Sequence, residues 1–397
     1  MTEERQSKPR NLATRAVHAG EEVPKPDHSL ITPITLTAPF AFRDTEDLRA
    51  YAAKEKARFE YARMGHPTQA AVERKLAALE GAEAGLVFAS GMNALTTTLL
   101  SLLSQGQHLV ITHQAYRRTL QFCQQELPRW GIECTTVPVG EEEAAARAMQ
   151  DNTALIFSEC PTNPHLYLPN ISRLAEIAHA QGALLLIDST FATPVNLHPL
   201  ERGADLVVHS ATKYLGGHND LVAGVLVGRA TLVETVRDFH HTLGGMADPF
   251  TCFLLLRGLK TLPLRVQRQN ETALQVAQFL EQHSKVTQVY YPGLPSHPHH
   301  QRARKQMRGF GGVVSFEIRG DWAATCRFLD ALELCTLASS FGGPETLVYH
   351  PAGVTRYDLT EKERQALGYT DQLIRLAVGL EAPEDLLADL EQALAQV

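Results

Sequence analysis

The stretch "ADLVVHSATKYLGGHND" (204–220) decides how the rest of the chain is read. Leu206, Val207 and Val208 are apolar and β-prone, and they lead straight into His209, Ser210, Ala211, Thr212 and Lys213. A strand ending on hydroxyls and a lysine presents those groups beyond its carboxyl end. In open α/β sheets that is where ligands bind. Other short apolar runs resemble this one: "AGLVF" (84–88), "HLVIT" (108–112), "TALIFSEC" (153–160), "GALLLIDST" (182–190) and "VAGVLVGRA" (222–230). Helical stretches such as "ISRLAEIAHAQG" (171–182) separate several of them. Unbroken apolar strands alternating with helices predict an α/β fold, a mostly parallel sheet with helices on both faces.

Outward from this centre, "TQAAVERKLAALEG" (68–81) has helical spacing and a stop at Gly81. Residues 1–60 read as irregular, broken by Pro24, Pro26, Pro33 and Pro39. Past residue 258 the texture changes. "LKTLPLRVQRQNETALQVAQFLEQHS" (259–284) predicts a long helix or a kinked pair, with Pro263 as the break. A strand "GGVVSFEI" (311–318), a helix "AATCRFLDALEL" (323–334), a strand "LIRLAVGLE" (373–381) and an amphipathic helix "APEDLLADLEQALAQV" (382–397) complete a smaller α+β unit. The expected organisation is an arm over 1–64, an α/β domain over 65–258 and an α+β domain over 259–397.

The chain has 397 residues, 44% hydrophobic and 20% charged, enough for a sizeable core. Its formal net charge is −7, with both signs mixed, so nothing tracks a nucleic-acid backbone. "MTEERQSKPR" lacks the apolar centre of a secretory signal, and no apolar run approaches the roughly 18 residues of a membrane span. Six scattered cysteines (123, 134, 160, 252, 326 and 335) without a CxxC pair predict reduced, mostly buried thiols and a cytoplasmic protein. His297, His299 and His300 are interleaved with proline and lack an accompanying acid or thiol, so no metal is expected there.

Several polar residues mark the ends of expected strands. Asp188 closes "LLLID", Lys213 follows "LVVHS", and Asn163 lies in "SECPTNPH". "ASGM" (89–92) joins a strand to a helix, whose first N–H groups suit an anion. Singly, each has an ordinary reading: small residues before helices are common, the aspartate caps as often as it reacts, and lone lysines are solvated. Together they match a cofactor with a phosphate, a protonatable ring nitrogen and an aldehyde, namely pyridoxal 5′-phosphate (PLP). An amine that bonds the aldehyde must be partly neutral, a carboxylate keeps the ring nitrogen protonated, and Tyr116 in "THQAYRRTL" is placed to cover the ring.

From about residue 12 to the C-terminus the sequence resembles the cystathionine γ-synthase family of PLP enzymes in cysteine and methionine metabolism. The likeness is carried by "YARMGHPT" (61–68), "ASGM", "ECPTNP" (159–164), "DSTFATP" (188–194), "HSATKYLGGHNDLVAG" (209–224), "YYPGLPSHP" (290–298), "GFGGVVSFE" (309–317), "SSFGGPETL" (339–347) and "IRLAVGLE" (374–381). The resemblance implies PLP-dependent transferase fold type I. It makes Lys213 the residue that bonds the cofactor and shuttles protons, Asp188 the partner of the ring nitrogen with Thr190 near the ring, and Tyr116 the stacking residue with a share in proton transfer. It assigns Gly91, Met92, Ser210 and Thr212 to the phosphate. Tyr61 and Arg63 would reach the neighbouring subunit's cofactor, so at least a dimer is implied, and the family's usual assembly is a homotetramer. Asn163, Ser340 and Arg375 would hold the substrate α-carboxylate, with Asn163 also near the cofactor's 3-hydroxyl and Tyr61 also close to substrate. An arginine fork meets a carboxylate with two hydrogen bonds.

Within the family, "HQAYRRTLQF", "GGHNDLVAG", "FHHTLGG" and "SSFGG" lean toward cystathionine γ-synthase, particularly its plant-like form. The expected reaction joins L-cysteine to an O-activated homoserine. The alternatives are a γ-lyase acting on cystathionine or methionine, and a sulfhydrylase. Ser339 stands where γ-lyases and some synthases carry Glu, which counts modestly against a cystathionine lyase. Arg117 or Arg118 could meet an anionic ester, or could simply be exposed. His66 in place of Asn, and Tyr167 and Asn170 after "NP", depart from the family pattern and bear on substrate.

Overall fold

Twelve strands and the helices between them form two sheets in the computed structural model, which describes residues 11–21 and 25–397. The first ten residues of the expected arm, and Pro24, lie outside the described residues. The strands are β1 (Ala84–Phe88), β2 (His108–Thr112), β3 (Glu133–Val137), β4 (Thr153–Glu159), β5 (Leu184–Asp188), β6 (Leu206–Ser210), β7 (Gly224–Gly228), β8 (Val286–Tyr290), β9 (Val313–Ile318), β10 (Thr336–Leu337), β11 (Leu347–Tyr349) and β12 (Leu373–Ala377). The larger sheet runs β1-β7-β6-β5-β4-β2-β3 and the smaller β10-β11-β12-β9-β8.

In the larger sheet β6, β5, β4, β2 and β3 pair in parallel, while β7 lies antiparallel to both β1 and β6. The mostly parallel expectation therefore holds. Strands such as β2 and β7 are buried throughout, which is why they read as unbroken apolar runs. Leu155, Phe157, Leu186, Leu206 and Val208 pack on one face with Ala94, Leu95 and Leu99 of the helix Gly91–Leu102. Ile156, Leu185 and Ile187 face the helix Ile171–Ala180 on the other. Val207, Val225 and Val227 share a core with Val314, Phe316, Ile374 and Leu376 of the smaller sheet.

Two short helices, Leu12–His18 and Thr45–Ala52, occupy the region expected to be irregular. Each is made by a cap, Asn11 and Asp44 accepting from Ala13 N and Asp47 N, rather than by a long periodic face. Of the expected long helix or kinked pair over 259–284, the chain forms one long helix, and the break before it falls at Thr261 and not at Pro263. The helix Pro249–Lys260 passes through the expected 258/259 junction, Thr261 separates it from the helix Leu262–Gln282, and Pro263 lies in the first turn of the second, where its missing N–H does no harm. Strands β3, β8, β10 and β11 were not foreseen. They are short or lie at sheet edges, and their half-exposed residues dilute the apolar signal.

His66 caps the helix Pro67–Glu80 through Nδ1, which accepts from Gln69 N at 3.2 Å, so it keeps the capping capacity an asparagine would bring. His297, His299 and His300 are committed to the backbone: His297 Nε2 meets His165 O, His299 Nδ1 accepts from Leu168 N, and His300 Nδ1 meets Pro292 O. No disulfide joins the cysteines, and four of the six are buried. No helix among the described residues is long and apolar enough to cross a membrane.

Candidate active site

The carboxyl ends of β4, β5 and β6 bring the candidate groups together with one loop and one strand of the smaller sheet. Ser90 caps the helix Gly91–Leu102, accepting from Asn93 N at 3.0 Å, so the Gly91 and Met92 amides open the first turn outside the helical ladder. A Cβ on Gly91 would lie 2.8 Å from Ser210 Cβ, so only glycine lets the helix start press against the end of β6. Ser210 N donates to Thr190 Oγ1 at 2.8 Å, and Thr190 N donates to Asp188 Oδ1 at 2.9 Å. Thr212 Oγ1 accepts from Ala223 N at 3.1 Å and faces Ala223 O at 3.3 Å, tying the turn that carries Lys213 to the start of β7.

Lys213 Nζ donates to Ser340 Oγ at 2.7 Å, and Arg375 Nη2 donates to Ser340 O at 3.0 Å. Arg375 Nη1 donates to Asn163 Oδ1 at 3.1 Å, while its Nε is buried without an acceptor. The Phe341 ring lies 5.3 Å from Lys213 Nζ and 5.4 Å from Arg375 Cζ, and Arg375 Cζ is 4.7 Å from the Tyr349 centroid. Ser340 has φ +106°, a left-handed backbone that a non-glycine residue adopts at a conformational cost. Burial, reinforced by the Arg375 charge, lowers the Lys213 amine to about 8. Burial also lowers Arg375 to about 10. For Asp188 burial pushes the carboxyl up, and hydrogen bonds from Thr190 together with the His209 charge offset part of that rise.

Tyr116 stands at the N-terminus of the helix Arg117–Gln121, half exposed, and its N–H donates to Glu159 Oε1. Arg117 reaches Asp358 with both terminal nitrogens at 3.0 Å, and Arg118 bonds Gln121 at 2.7 Å. Tyr61 precedes the turn Ala62–Met64, and Arg63 lies within it. Arg63 donates to His241 O, and Tyr61 is bridged to Pro39 and accepts from Met64 N through its carbonyl. Glu159, Phe341 and Tyr349 had no role in the sequence reading. Glu159 ends "ALIFSE" much as Asp188 ends "LLLID", and that shared form was the available signal.

A sequence model described as "Cys/Met metabolism PLP-dependent enzyme" matches residues 13–395. The chain belongs to this family of Cys/Met metabolism PLP-dependent enzymes. Cystathionine gamma-synthase 1, chloroplastic, of Nicotiana tabacum is 47% identical over 385 residues, covering 96% of this chain and 71% of that protein. L-methionine gamma-lyase of Fusobacterium nucleatum subsp. nucleatum is 41% identical over 389 residues, covering 97% and 98%. Among solved structures, cystathionine gamma synthase from Xanthomonas oryzae pv. oryzae in complex with aminoacrylate and cysteine matches with a TM-score of 0.93 and 37% identity, covering 98% and 99%. The fold is thus that of the family's solved synthase, and PLP is the family's cofactor.

The residues present fit that cofactor. The close approach of Gly91 to Ser210 leaves a side-chain-free cradle, Asp188 supplies a carboxyl at the carboxyl end of the central strand β5, and Lys213 offers an amine of depressed basicity. The unsatisfied Nε of Arg375 leaves a donor for an incoming acceptor.

Proposed function

We propose that this chain catalyses γ-replacement, joining L-cysteine to an O-activated L-homoserine to give L-cystathionine. The observation that carries the reading is the 47% identity to the tobacco synthase, against 41% to the methionine lyase. Bound here, PLP supplies an aldehyde for amines and a cationic ring that withdraws electrons from the adjoining carbons.

In this reading the Gly91 and Met92 amides, with Ser210 and Thr212, hold the phosphate. Asp188 would face the ring nitrogen, with Thr190 fixing its carboxyl, and Tyr116 would cover the ring. Lys213 would hold the aldehyde, and its amine, made less basic by burial and the Arg375 charge, would carry protons between substrate carbons. Arg375 and Asn163 hold the α-carboxylate, and Ser340 Oγ orients Nζ. At the γ-carbon the bond to the ester oxygen breaks, a bond to cysteine sulfur forms, and the thiol proton leaves. The same reading takes the chain as a cytoplasmic homotetramer in which Tyr61 and Arg63 reach a partner's cofactor. Exposed apolar residues such as Leu30, Leu36 and Phe250 support association.

A second reading is γ-elimination, favoured by the methionine lyase match along nearly all of both chains. Protein loaded with PLP is to be given phospho-, succinyl- and acetyl-homoserine, each with and without cysteine, following cystathionine and 2-oxobutyrate together. Cystathionine dominating with cysteine is the expected result. Equal 2-oxobutyrate with or without thiol, or consumption of methionine alone, would replace the synthase by the lyase.

A further inference from the structure

Two carboxyl groups sit side by side where the proposed roles use only one. In the β4–β5 ladder Glu159 is directly opposite Asp188, in parallel register. Strand alternation puts Glu159 on the face of Leu155 and Phe157, and Asp188 on that of Leu186. These residues share one core, covered by the helix Gly91–Leu102, so both carboxyls project to the same side of the sheet. Residues opposite each other on neighbouring strands and on one face of a sheet are neighbours, and two carboxyl groups so placed in a desolvated core disfavour each other's ionisation.

Their support is unequal. Asp188 Oδ1 receives the Thr190 N–H, and Asp188 is further favoured as an anion by the Thr190 hydroxyl and the His209 charge. Glu159 is 4% exposed and receives one backbone N–H, that of Tyr116. The titratable neighbours acting on the pair are His209, through Asp188, and Tyr369 before β12, which lies close enough to feel Glu159. Burial together with the Asp188 charge raises the Glu159 carboxyl well above the usual range, and the Tyr116 N–H offsets only part of that rise.

We propose that Glu159 is a positioning residue that stays protonated beside Asp188, so that Asp188 carries the pair's negative charge, while its carbonyl oxygen anchors the backbone of Tyr116. The inference rests on the assignment of Asp188 and Tyr116 to the cofactor ring made above. It adds a reason why both hold their state: Glu159 takes the proton that would otherwise neutralise Asp188, and the same side chain fixes the turn from which the Tyr116 ring projects. An ionised Glu159 would instead push Asp188 toward protonation and remove the partner the ring nitrogen requires.

The test compares full-length wild-type protein with Glu159→Gln and Glu159→Ala, with and without PLP. Infrared difference spectra at pH 7.5 should show a protonated-carboxyl C=O band in wild type that disappears in both variants, in the loaded and the PLP-free protein. Glutamine keeps the acceptor for Tyr116 N and mimics the neutral acid. Glu159→Ala should therefore lower kcat/KM about tenfold, the loss expected when a partly buried N–H is left without its acceptor, and Glu159→Gln should recover most of it. No band in wild type, or a glutamine variant as damaged as alanine, would overturn the proposal. Asp188→Asn separates the two layers. If it leaves the visible spectrum of the bound cofactor unchanged, the assignment of Asp188 fails while the infrared result still decides the state of Glu159.

Discussion

Replacing Lys213 by methionine removes an amine that the fold holds at a thermodynamic cost, and the size of that cost follows from its surroundings. The amine ordinarily titrates at 10.5 and here at about 8. At about 1.4 kcal/mol for each tenfold change in proton affinity, the difference amounts to roughly 3 kcal/mol against the folded state at neutral pH. The lost hydrogen bond to Ser340 Oγ returns about 1 kcal/mol to the wild type. Lys213→Met should therefore stabilise the PLP-free protein by about 2 kcal/mol at pH 7. The sign with pH is fixed: the unfolded chain binds the extra proton between about 8 and 10.5, so wild-type stability rises through that window and the variant's advantage closes. Urea unfolding of the PLP-free protein at several pH values from 7 to 10.5 measures this directly. An advantage that stays constant across the window, or a variant less stable at pH 7, would refute the argument that burial depresses this amine.

Three further outcomes are expected. Gly91→Ala drives a Cβ to 2.8 Å from Ser210 Cβ and should weaken PLP binding at least tenfold in a titration of the PLP-free protein, with the fold retained. Arg375→Lys keeps a charge but loses the fork between Asn163 Oδ1 and Ser340 O, so KM should rise roughly tenfold or more with a smaller change in kcat. For Glu21, burial raises the carboxyl but bonds and charges of Lys75 and Lys260 outweigh it, leaving it at about 2. The stabilisation is present above 4.5 and lost as pH falls through about 2. Glu21→Gln should cost about 2 kcal/mol near neutrality, discounted for solvent screening, with the difference fading in acid unfolding.

The parallel core and the family were written in the sequence. β2, β4, β5 and β6 are largely buried on both faces, so each is written around an apolar centre, and the polar residues stand out because they gather at the strand ends. Asp188 and Lys213 were legible for that reason, and the motifs around them carried the family. Edge strand β3, written "ECTTV", was not legible, because half-exposed positions accept polar residues. The short helices near the N-terminus depended on caps rather than on periodicity. Only the tertiary structure decided which end-of-strand residues meet. Arg375 comes from β12 and Ser340 from the loop between β10 and β11, more than a hundred residues from Lys213, and no local pattern encodes their approach. Glu159 was visible as a residue but silent as a function. Its meaning depends on the register that sets it opposite Asp188, and register is a property of two strands, not of one.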